Sequence, residues 1–194
     1  MHYKQKFGLM LAIVCALGVI AVPSASASSF LAHSPGKVLI KALSTHVFKT
    51  GGFETVCTGV SNAEPESVAG ALQSLTLEIH TQYSNCNIMG IQALVSPARW
   101  LYSADNGLVR LLNIFTIRTD MFNCTITILS ASNQDLWTAK YLNIGREIAI
   151  DHNIANLSAE GAGECAFALE NKGTYTGVTL VALEGLGTLR WDQD

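Results

Sequence analysis

The chain has 194 residues, of which 49% are hydrophobic and only 14% charged, and its formal net charge is −3. A charged fraction well below the usual quarter requires a surface built from Ser, Thr and Asn. The acidic excess argues against nucleic acid and against anionic membrane surfaces, since both reward basic patches.

The chain opens with Lys4 and Lys6, the apolar run "FGLMLAIVCALGVIAV" and then "PSASASS". This order reads as a secretory signal peptide cleaved after Ala27, because the apolar run is shorter than the roughly 20 residues of a spanning helix. No transmembrane segment is expected after cleavage. Residues 28–194 are then 167 residues, enough for one domain with its own core. Loss of the two lysines leaves ten basic residues against 15 acidic ones, a net charge of about −5. The expected address is secreted or cell-surface.

Strand signals follow in chain order. "KVLIKAL" and "FETVCTGV" are short apolar runs bounded by turn residues. "AEPESVAGALQSL" has room for one helical turn. "LQSLTLEIHTQYSNC" alternates with period two: Leu75, Leu77, Ile79 and Tyr83 share one face, and Thr76, Glu78, His80 and Gln82 the other. "IQALVS" and "ARWLYS" come next. "LVRLLNIFTI" has some helical spacing, but Ile114-Phe115-Thr116-Ile117 favours a central strand that is apolar on both faces. "CTITI" alternates cleanly, and so does "REIAIDHNI", where Ile148, Ile150 and Ile154 oppose Glu147, Asp151 and Asn153. "LWTAKYLNI", "CAFALE", "TYTGVTLVAL" and "GTLRW" complete the set. Short strands without a long amphipathic run predict an all-β domain, an antiparallel β-sandwich with a β-barrel as the alternative.

Cys15 leaves with the signal, so four cysteines remain, and an even number in an oxidising compartment implies two disulfides. They stand alone, without the paired spacing of a zinc site. Of three connectivities, chain order favours Cys57–Cys86 and Cys124–Cys165. No metal and no cofactor are expected.

His33, His46, His80 and His152 are scattered. His152 shares the apolar parity of Ile148 and Ile150, which makes it either a pocket base or, as a single inward His more often is, a core residue. Glu147 and Asp151 are the candidate carboxylates of a small hydrolase, though the chain lacks a Gly-x-Ser-x-Gly elbow. Trp100, Trp137 and Trp191 with Tyr83, Tyr102, Tyr141 and Tyr175 could stack on a glycan, but their spread along the strands is that of core packing. The glycine clusters read as turns and the closing "WDQD" as a solvated tail.

"VCTG", "YSNC", "CTITI" followed by "NQDL", and "GTYTGVTLVALEG" resemble a group of small secreted proteins of unassigned function from soil actinobacteria. More loosely, the layout is similar to the alkane-oxidation-activator type of exported bacterial protein. The resemblance spans roughly Phe48 to Leu189 and implies a disulfide-linked β-domain; the second group would add a surface-associated role. It carries over no catalytic residue.

The reading is a non-catalytic binding, adhesive or structural domain. Its expected partner is a surface polymer or glycan, or a second copy through exposed strand edges such as those of "TYTGVTLVAL" or "GTLRW". The rival readings are a hydrolase with paired carboxylates and a barrel that binds a small ligand or lipid.

Overall fold

The computed structural model describes residues 28–34, 36–63, 66–68, 72–130, 137–185 and 187–193. Residues 1–27, where the export signal is expected, lie outside them. The strands are, in chain order, β1 (Ser29–Ala32), β2 (Gly36–Ala42), β3 (His46–Thr50), β4 (Phe53–Asn62), β5 (Glu66–Val68), β6 (Leu72–Ser74), β7 (Thr76–Ile88) and β8 (Ile91–Val95). They continue with β9 (Ala98–Ser103), β10 (Leu108–Leu111), β11 (Phe115–Thr119), β12 (Cys124–Ile128), β13 (Trp137–Ile144), β14 (Glu147–Gly163), β15 (Phe167–Leu183) and β16 (Leu189–Asp192). No helix occurs among the described residues, so none there is long and apolar enough to cross a membrane.

The pairings close on themselves. Counted as staves, β2 with β3, β4, β7, β8 with β9, β10 with β11, β12 with β13, β14 and β15 follow one another around an eight-stranded antiparallel barrel, and β15 returns to β2 and β3. The sandwich expectation is therefore corrected to the barrel. Closure pairs the barrel staves with one another, while β16 and β6 remain the outer strands of the small sheet. The "TYTGVTLVAL" part of β15 is paired on both sides, with β14 on one and with β3 and β2 on the other. β16 pairs with β1, and β1 with β6, in a small sheet over one end of the barrel.

Four staves are broken near mid-height. Pro97 interrupts the stave of β8 and β9, where a missing N–H cannot serve a ladder. Side chains replace the lost bonds: Arg99 N–H donates to Asn113 Oδ1 (2.6 Å), Asn113 Nδ2 to the Pro97 carbonyl (3.0 Å) and Gln82 Nε2 to the Val95 carbonyl (2.9 Å). "LVRLLNIFTI" accordingly holds two strands, β10 and β11, split at Leu112–Ile114, and not one central strand. The stretch expected to hold a helical turn contributes β5 and β6.

β7 and β14 run through unbroken and change partners on the way. The first half of β7 pairs with β9 and its end with β8; the first half of β14 pairs with β13 and its second half with β12. The inward parity switches at each change. Buried residues run Leu77, Ile79, Thr81, Tyr83 and then Cys86, Ile88; in β14 they run to Ile154 and then Leu157. Asn85 (φ 50°) and Asn156 (φ 59°) occupy the two switches. Asn tolerates the left-handed region better than most residues, which suits it to absorb one extra residue at a bulge.

Large aromatic side chains point inside the barrel. Trp100, Tyr102, Tyr175, Phe48 and Phe115 are each at most 2% exposed, and Phe48 stacks on Tyr175 with ring centroids 4.5 Å apart. Burying one such ring stabilises by roughly 1.5–3 kcal/mol. The outward positions of β7 and β14 carry Glu78, His80, Gln82, Asp151 and Asn153.

Both expected disulfides are present, Cys57–Cys86 and Cys124–Cys165, in keeping with an oxidising extracellular environment. Cys57 faces Cys86 directly across β4 and β7, and Cys124–Cys165 ties the turn after β14 to β12. Both lie toward the end of the barrel opposite the small sheet.

Candidate functional site: the cleft at the stapled end

The sequence candidates do not form one site. His152 is inside the barrel, 2% exposed, whereas Glu147 and Asp151 belong to the opposite parity and face outward. Four residues along a strand separate two positions by about 13 Å, beyond the 5–10 Å reach of a glycosidase carboxylate pair. Asp151 stands across from Lys140 on β13. Neither carboxylate shares a space with His152. Among the described residues, no three His, Cys, Asp or Glu side chains gather where they could hold a metal ion.

His152 instead belongs to a buried polar chain. The Trp100 indole N–H donates to the Tyr83 hydroxyl (3.1 Å), and that hydroxyl donates to Tyr175 (3.0 Å). Tyr175 and His46 Nδ1 in turn share a hydrogen bond of 2.8 Å. His152 Nε2 bonds Thr179 Oγ1 at 3.0 Å. His46 Nε2 and His152 Nδ1 have no hydrogen-bond partner among the described residues.

Burial pushes the His46 pKa down to about 4, against a smaller pull upward from the Val178 carbonyl. It pushes His152 down to about 3, and the nearby His46 adds to the effect. Both imidazoles are neutral at ordinary pH. The rings of Tyr83, Tyr102 and Tyr175 are fully enclosed around them, and desolvation raises those phenols above their usual range. This is a buried network of the core. It also takes Trp100, Tyr83, Tyr102 and Tyr175 out of any surface platform for a glycan; the Trp137 side chain lies outside the described part.

The small sheet seals one end of the barrel. Phe30 meets Tyr141 edge-on at 5.2 Å, and Asn143 exchanges two hydrogen bonds with the Trp191 backbone (2.7 and 2.8 Å). "WDQD" therefore begins as a paired strand, not a solvated tail; Asp194 lies outside the described residues.

The other end is open. Phe53, Met89, Ile91, Asp120, Met121, Phe122, Asn123 and Glu164, drawn from four hairpin turns, line a cleft of about 780 Å³. Two features show that folding alone does not explain its residues. Met89 and Met121 are 72% and 80% exposed, and they are the only methionines outside residues 1–27. Met89 also sits at φ 52° ahead of Gly90 at φ 81°, in the two-residue turn joining β7 to β8. Such a turn needs two positive φ angles and prefers Asn-Gly. A methionine there costs on the order of 1 kcal/mol in backbone strain.

The glycines of "GAGEC" place the fourth turn. A Cβ at Gly163 would overlap the Asn123 carbonyl, and one at Gly161 the Cys165 carbonyl. Glu164 N–H donates to the Asn123 carbonyl at 3.2 Å. With Cys124–Cys165 beneath, Glu164 is held on the lip of the cleft. Sequence reasoning passed over Met89 and Met121; the available signal was "IMGI", a methionine where a tight hairpin favours asparagine.

No family model, curated protein or solved structure matches the chain.

Proposed function

We propose that the protein is an exported, non-catalytic binding barrel that holds an apolar partner in the cleft between Phe53, Met89, Ile91, Met121 and Phe122. The observation that carries this reading is the strained, exposed Met89 facing the same opening as Met121. Methionine is flexible and polarisable, and it suits surfaces that mould to a partner. A turn that gives up local stability to present such a side chain is the pattern of a binding site.

Two observations weigh against the rival readings. Large buried side chains, Trp100, Tyr102, Tyr175, Phe48 and Phe115, occupy the interior in which a lipid-binding barrel holds its ligand, and the outward, widely separated Glu147 and Asp151 do not make a hydrolytic pair.

Titration with a neutral apolar dye tests the proposal. Wild-type protein binds it at one site, and the double variant Met89→Asn/Met121→Ser loses binding while its circular dichroism is unchanged. Undiminished binding by the variant would place the site elsewhere, and turnover of a glycoside or ester panel would end the non-catalytic reading.

A further inference from the structure

We infer, resting on the cleft being the binding site, that its occupant is a basic amphipathic segment of a protein partner. Among the described lining residues the charged ones are Asp120 and Glu164, both exposed carboxylates, and no lysine or arginine joins them. No ion pair ties either carboxylate to another described residue. Of the basic residues on the strands that lead into these turns, Lys49 is paired with Glu54 at 2.9 Å, Arg118 points to the outer wall of β11, and Lys172 of β15 lines the neighbouring hollow with Glu54 and Glu170, outside the cleft lining. The cleft thus presents fixed negative charge beside apolar surface.

Its layout is two-sided. Asp120 and Glu164 come from the β11–β12 and β14–β15 turns, adjacent around the barrel end, whereas Phe53, Met89 and Ile91 come from the β3–β4 and β7–β8 hairpins. One lip is wholly apolar, and the other sets the two carboxylates beside Met121 and Phe122 of the β11–β12 turn. An amphipathic helix with lysine or arginine flanking its apolar stripe matches that division, its leucines entering the methionine-lined space and its cations meeting the two carboxylates. An anionic membrane surface would be repelled by the same lip, and a short neutral ligand would leave both carboxylates unused.

The test uses the full protein and two synthetic amphipathic peptides of about 18 residues, one of leucine and lysine and one of leucine and glutamate, with fluorescence anisotropy at low and high salt. The leucine–lysine peptide binds and the leucine–glutamate peptide does not. Asp120→Asn with Glu164→Gln weakens the basic peptide about tenfold, and high salt does much the same. Equal binding of both peptides overturns the charge preference and leaves the apolar cleft standing. Binding of the neutral dye without either peptide overturns the helical partner and likewise leaves the cleft. If neither peptides nor dye bind, the binding reading falls with it.

Discussion

His46 and His152 lie in one inward row across β3, β15 and β14, their ring centroids 5.9 Å apart, with only Gly177 between them. The fold keeps both neutral by burial, so the unfolded chain binds protons that the folded chain refuses. Between the ordinary histidine pKa of about 6.5 and the folded values of about 4 and 3, stability therefore rises with pH and falls on acidification. Urea unfolding at about pH 7 and about pH 4.5 should differ by a few kcal/mol, the protein being weaker in acid. His152→Phe should remove a large part of that difference. A midpoint that stays constant over this window would mean that the imidazoles are not enclosed.

Gly177 makes the row possible. A Cβ there would stand 2.5 Å from His46 Nδ1. Gly177→Ala should cost about 1–3 kcal/mol, as overpacking of a filled core does. His46→Ala in the same chain should recover much of that loss, and a double-mutant cycle by chemical denaturation reads the coupling. Additive losses would place the strain elsewhere.

The fold was legible where a strand has one wet face and one dry face. β7, β12 and β14 alternate in the sequence as they do in space, and the parity of Ile148 and Ile150 put His152 inside. Closure was not legible, because it depends on which strand takes the second edge of β15, and alternation is the same in a sandwich and a barrel. The two bulges also hid in plain alternation: nothing local announces that Asn85 or Asn156 takes up an extra residue until the partners on each side are known. His46 could not be assigned to a face because it opens the short strand "HVFKT", too brief to establish a parity. The cleft assembles from four turns far apart in the chain, and only their meeting makes Met121 and Glu164 neighbours.

Cys165 staples a turn that carries Glu164. Replacing the pair by Cys124→Ser/Cys165→Ser reopens a loop with a sequence separation of 41 residues and should cost roughly 3–4 kcal/mol on the loop-entropy account. The loosened lip should also weaken binding of the basic peptide while leaving the dye bound to the apolar lip. Intact mass with and without reduction checks that wild-type protein carries both bridges, and denaturation of the variant reads the cost.

Met89→Asn separates folding from function most sharply. Asn is the favoured residue at the first position of this turn, so the substitution relieves the strain at φ 52° and removes an exposed apolar side chain. Stability should rise by about 0.5–1 kcal/mol, measurable as a higher thermal midpoint. Binding of the dye and of the basic peptide should fall together. A site selected only for folding would have no reason to keep the weaker residue, so a variant that is both more stable and fully competent to bind would remove the main support for the cleft as the functional site.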